Sequence, residues 1–126
     1  MKTSELNGDA LDWAVAKCEG YEIDSNGCAV KDGIAEFNLD CFNPSEVWAQ
    51  GGPIIEREEI ELKVLASCID LKKHPTYKSG DAWEANLWPA DVDLIEYCGP
   101  TPLIAAMRCY VASKLGDEVE VPDELA

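Results

Sequence analysis

Gly99-Pro100-Thr101-Pro102-Leu103-Ile104-Ala105-Ala106-Met107-Arg108-Cys109-Tyr110-Val111-Ala112-Ser113-Lys114-Leu115-Gly116 is the stretch on which the fold turns. Thr101 offers a hydroxyl to the first free N–H groups of a helix, and Pro102 sits at its first position, where the missing N–H costs nothing. Leu103, Ile104, Met107, Val111 and Leu115 recur at helical spacing as a buried stripe, and Gly116 stops the run.

Upstream, Leu11, Ala14, Val15 and Cys18 repeat at i, i+3, i+4 and i+7, with Asp9, Asp12 and Lys17 between them. That spacing predicts an amphipathic helix over residues 6–18, capped by Asn7 or Thr3 and ended at Gly20. Tyr21 and Ile23, then Ala35, Phe37 and Leu39, alternate with polar residues around Asn26-Gly27 and Asp32-Gly33, which predicts short strands joined by tight turns. Asn43-Pro44-Ser45 and Gly51-Gly52-Pro53 read as loop punctuation around one turn at Trp48, so residues 43–53 are expected to form an ordered, non-repetitive loop. Ile60, Leu62 and Val64 alternate as a strand does, although Leu65, Cys68 and Ile69 continue at helical spacing; a strand is the expectation. Residues 70–81, with Pro75 and Gly80, form a long polar connection, and Trp83, Ala85 and Leu87 alternate again. Pro122 opens a short acidic tail. Two amphipathic helices packed on a small, mostly antiparallel sheet make one α+β domain spanning residues 1–126.

The charge balance excludes several classes of function. Ten Lys and Arg stand against 25 Asp and Glu, a formal net charge of −15. A surface this negative repels a phosphate backbone, so direct nucleic-acid binding is not expected. With 47% hydrophobic and 28% charged residues the chain is not composed like a disordered one, and no run reaches the roughly 18 apolar residues of a membrane span. Met1–Asn7 lacks the apolar core of a secretion signal, which predicts a reducing cytoplasm and free thiols at Cys18, Cys28, Cys41, Cys68, Cys98 and Cys109. No cysteine pair has CxxC spacing and the single histidine, His74, stands apart from any ligand pattern, so neither a metal nor another cofactor is expected.

Three stretches carry a resemblance: Leu11-Asp12-Trp13-Ala14-Val15-Ala16, Trp48-Ala49-Gln50-Gly51-Gly52-Pro53-Ile54-Ile55-Glu56-Arg57 and Pro102-Leu103-Ile104-Ala105-Ala106-Met107-Arg108. In residues and in order they resemble the NinX-like family of small proteins from tailed phages and prophages. The resemblance implies an accessory early phage protein made in the cytoplasm of an infected bacterium, in a family of unknown function. The stretch from Leu65 to Asp81 carries no such resemblance.

The residues with the most chemistry gather around the second of these stretches. Successive Gly51 and Gly52 allow backbone N–H groups to approach an anion, Arg57 or Arg108 would add a guanidinium, Asn43 and Gln50 add amides, and Trp48 offers a face for a nucleobase, with Trp13 and either Trp83 or Trp88 completing a clamp. The expected ligand is small, anionic or nucleotide-like, such as a bacterial immune signal held out of circulation. The competing interpretation is structural: tryptophans are mostly packing residues, Gly-Gly-Pro is often only a turn, and Arg57 has Glu56, Glu58 and Glu59 to pair with. A different class of function is an acidic inhibitor or DNA mimic that binds a host protein through Glu56–Glu61 and Asp117–Glu124. A homodimer with a pocket at the subunit boundary is a further expectation. One histidine leaves no nucleophile–base pair, and Gly51-Gly52 has neither phosphate-loop nor dinucleotide spacing, so catalysis is not expected.

Overall fold

The computed structural model describes residues 1–65, 76–89 and 93–125. A 3-10 turn at Thr3–Glu5 leads into α1 (Gly8–Cys18), then β1 (Glu22–Ile23), β2 (Cys28–Lys31), β3 (Ile34–Asn38) and a second 3-10 turn at Leu39–Cys41. Helix α2 (Trp48–Glu58), β4 (Glu61–Val64), β5 (Trp83–Leu87), β6 (Ile95–Gly99) and α3 (Pro102–Leu115) complete it. The described strands pair antiparallel in two sheets, β1-β2-β3 and β4-β5-β6. The class is α+β as expected, with a third helix and a second sheet beyond the expected plan.

Helix α3 is the hub. It packs on β5 and β6 on one side and on α1 and α2 on the other. Ala105, Ala106, Met107, Arg108, Cys109, Tyr110 and Val111 are consequently buried in succession, all the way round the helix. Its cap is as the local sequence dictates, with the Thr101 hydroxyl accepting from the Ile104 N–H at 3.1 Å. Leu115 departs from the expected stripe: it stands exposed at the end of the helix, past the neighbours that cover the middle.

Helix α1 runs as its periodicity predicts, burying Ala10, Leu11, Ala14, Val15 and Ala16. Neither expected side-chain cap forms. Asn7 holds the extended backbone of a cap but makes no cap bond with its side chain, and Thr3 turns away to donate to the Gly116 carbonyl at 2.7 Å. That bond, together with the exchange of backbone hydrogen bonds between Met1 and Val119, holds residues 116–119 against the first residues of the chain. Asp32 and Gly33 both take positive φ, 54° and 79°, the twist a two-residue hairpin needs between β2 and β3.

Residues 48–58 correct the sequence-based expectation of a loop, because Gly51-Gly52-Pro53 lies inside α2. Local propensity disfavours this helix, since each glycine costs about 1 kcal/mol and an interior proline about 3 kcal/mol relative to alanine. Packing overrides it: Ile54 is buried, Ile55 joins the core, and the helix rests against α3. Gly51 permits that contact, because a Cβ there would collide with the Pro44 carbonyl and lie 2.7 Å from Leu103 Cδ2. Strand β6 was absent from the sequence-based plan.

Cys68, His74 and residues 70–75 of the expected connection lie outside the described residues. The five described cysteines are free thiols, and burial pushes Cys18 and Cys109 up to about 12, far above neutrality. Among the described residues no helix is long and apolar enough to cross a membrane.

Candidate functional site

The two arginines singled out in the sequence are both engaged by the protein itself. Arg57 donates to Glu19 through Nη1 at 3.1 Å and Nη2 at 2.8 Å, to Glu58 through Nε at 2.8 Å, and to the Tyr110 hydroxyl at 3.1 Å. Tyr110 in turn donates to Glu19 at 2.7 Å. Burial pushes the Glu19 carboxyl up, but the hydrogen bonds from Arg57 and Tyr110 outweigh it and hold the group below its ordinary 4.5. Arg108 is buried in α3 and donates to the carbonyls of Leu6 at 2.7 Å and Cys98 at 2.8 Å, with the buried Asp81 carboxylate 3.9 Å away. Its charge is disfavoured by burial and supported by Asp81.

Asn43, Trp48, Gln50, Gly51 and Gly52 come together at the start of α2. Gln50 clamps the preceding loop onto the first turn: its Oε1 accepts from the Asn43 N–H, and its Nε2 donates to the Cys41 carbonyl at 3.0 Å. Asn43 Nδ2 donates to the Asp40 carbonyl at 3.2 Å. Both amides therefore build the loop. Gly51 N–H enters the helix ladder, donating to the Val47 carbonyl at 2.9 Å, instead of forming an anion nest. Arg57 lies nine residues beyond Trp48, about 14 Å along the helix at 1.5 Å per residue.

One member of this group remains directed outward. Trp48 is 54% exposed and, with Ser45 and Glu46, forms one wall of a cleft of about 460 Å³. The opposite wall is the start of α3, Thr101, Pro102, Leu103 and Ile104. Ser45 is buried, and its N–H donates at 2.9 Å to Asp12, a carboxyl that is only 3% exposed. Burial raises Asp12 to about 6, against the hydrogen bonding from Ser45, and the nearby charges of Glu46 and Asp9 add to the rise.

The other tryptophans do not join this wall. Trp13 on α1 borders two different clefts, one with Asp24, Asn38, Asp40 and Leu125, the other with Lys17, Leu115 and Val119. Trp83 is half-buried against the core and Trp88 stands in solvent. Ser45 and the Thr101–Ile104 wall were missed as site residues. Thr101-Pro102 was recognisable as a helix start, but nothing in local sequence places it opposite Trp48.

The architecture falls among small α+β phage proteins. A 2.0 Å crystal structure of a phage protein from Bacillus cereus ATCC 14579 superposes with a TM-score of 0.57 at 20% identity, over 86% of this chain and 92% of that one. At that identity the likeness is one of fold. The chain belongs to the family described as Bacteriophage P22, NinX, which matches residues 2–114. A comparison with curated proteins gives no match.

Proposed function

We propose that this phage accessory protein acts without catalysis, by binding a small nucleotide-like molecule in the cleft between the starts of α2 and α3 and keeping it from a host defence pathway in the infected cytoplasm. The supporting observation is Trp48, whose indole stands open to solvent at the mouth of a cleft large enough for a nucleotide. A base stacked on such a ring gains about 1–3 kcal/mol, and the gain requires no particular sequence of hydrogen bonds. Arg57 and Arg108 do not serve as ligand cations in this mechanism; they hold the helices that shape the cleft.

Native mass spectrometry of the protein with a pool of linear, cyclic and ADP-ribose-derived nucleotides tests the proposal. Retention of an unaltered nucleotide by the wild type, and its loss from Trp48→Ala, is the expected outcome. A chemically altered nucleotide would replace sequestration with catalysis, and an adduct that survives Trp48→Ala would move the site elsewhere.

The second proposal, an acidic inhibitor of a host protein, draws on a net charge of −15 and on Arg57 being neutralised by two carboxylates. Such a complex should weaken steeply with salt, because exposed charges are screened beyond about 8–10 Å at physiological ionic strength.

A further inference from the structure

We infer that the cleft beside Trp48 selects a positively charged heteroaromatic base, such as a pyridinium or an N-alkylated purine, stacked on the indole and paired with the Glu46 carboxylate, so that the recognised charge of its nucleotide-like ligand lies on the base and not on a phosphate. This rests on the ligand-binding proposal above and specifies its chemistry.

The lining of the cleft decides the sign of the charge. Among the described residues that line it Glu46 alone is charged, and it is exposed. Its carboxylate makes no hydrogen bond or ion pair with any described residue, whereas Glu19 and Glu58 are both taken by Arg57. Asp12 lies behind Ser45 on the same wall, close enough that the charge of Glu46 adds to the rise of its carboxyl. The opposite wall is the start of α3, whose dipole presents about half a positive charge. Capping occupies most of its donors: Pro102 has no N–H, and the N–H groups of Ile104 and Ala105 go to the Thr101 hydroxyl and carbonyl. A full carboxylate charge outweighs that fraction, so the field in the cleft is negative, as is the field of a chain with a net charge of −15.

The aromatic wall favours the same ligand. Trp48 is 54% exposed, and the electron-rich face of an indole attracts a cation more strongly than that of any other aromatic side chain. A neutral base gains stacking alone, whereas a cationic base gains stacking, the attraction of the ring face and the pull of Glu46. A phosphate meets no cation in the lining and stays in solvent at the cleft mouth.

Calorimetric titration of the full chain at neutral pH, with pairs of nucleosides alike in size but not in charge, tests the inference. The probes are nicotinamide riboside against its reduced, uncharged form, and cationic 1-methyladenosine against its neutral isomer N6-methyladenosine. Each cation should bind about tenfold tighter than its neutral partner, and the 5′-monophosphate of nicotinamide riboside no tighter than the nucleoside. Glu46→Gln, at an exposed position, should narrow the gap several-fold and leave the neutral members unchanged, and Trp48→Ala should abolish binding of all four. Equal binding within each pair, lost in Trp48→Ala, would overturn the charge selection while preserving the stacking site. A gap unchanged in Glu46→Gln would overturn the pairing with that carboxylate. Tetramethylammonium binding as tightly as the cationic nucleosides would overturn the base as the recognised group, and absence of binding by every probe would overturn both the charge selection and the stacking site.

Discussion

Arg57 grips Glu19 with both terminal nitrogens, at 3.1 and 2.8 Å, and so ties the end of α2 to the residue that closes α1. Tyr110 completes the triangle from α3, bonding to both. The three helices are joined at one polar point, on the far end of α2 from the Trp48 cleft. Arg57 is half exposed, so solvent screening limits its worth: Arg57→Ala should cost about 1 kcal/mol, and Tyr110→Phe about 1 kcal/mol for its lost hydrogen bonds. Urea denaturation of both single variants and the double variant checks this. Costs that add fully would show that the three groups do not act together.

Adjacent glycines in α2 should respond in opposite directions. Gly51→Ala drives a Cβ into the Pro44 carbonyl and Leu103, and backbone cannot swing away as a side chain would; a loss of about 2–3 kcal/mol is expected. Gly52→Ala meets nothing nearer than Trp48 Cε3 at 4.0 Å and gains helix propensity, up to about 1 kcal/mol. Thermal melts of the pair measure the contrast, and equal effects would place these residues in a loop instead of a packed helix.

Asp12 should make stability fall as pH rises from about 4 to 6. Its folded value, about 6, lies above its ordinary 3.8, so in that window the folded chain holds the proton more often than the unfolded chain. Stability therefore declines with rising pH, and above about 6 the ionised buried carboxylate is a cost of roughly 3 kcal/mol. Glu19 acts in the opposite sense: held below 4.5, it contributes stability above that value and loses it as pH falls. Asp12→Asn keeps an acceptor for the Ser45 N–H without the charge, and should raise the melting temperature at pH 7.5 while changing little at pH 4. A uniform shift at both pH values would contradict the assignment.

Arg108→Met should be among the most damaging single changes. It strips the Leu6 and Cys98 carbonyls of their donor and leaves Asp81 buried with no guanidinium beside it, a loss of about 3–5 kcal/mol. Circular dichroism and denaturation distinguish this from a ligand-contact role, in which folding would be intact and only binding would fall.

The start of α3 and the hairpin at Asp32-Gly33 were legible because their causes are local: a hydroxyl three residues from the N–H it caps, and two residues whose φ suits a tight turn. Helix α2 was not legible, since Gly51, Gly52 and Pro53 each argue against a helix and the contacts that override them come from Pro44 and α3. Strand β6 was hidden for a related reason: Tyr97 and Cys98, neighbours that face opposite sides, are both buried, so the alternation that marks a half-exposed strand is lost.

By itself the sequence determined the α+β class, the family resemblance and the strong negative charge. Tertiary structure alone decided what the polar residues do. Arg57 and Arg108 become internal ties because carboxylates and carbonyls from distant segments fill their donors, and Ser45 comes to face the start of α3 because Asp12 anchors its loop. Hydrogen-bond partners such as these lie tens of residues apart in the chain, and only folding sets the distances that assign them.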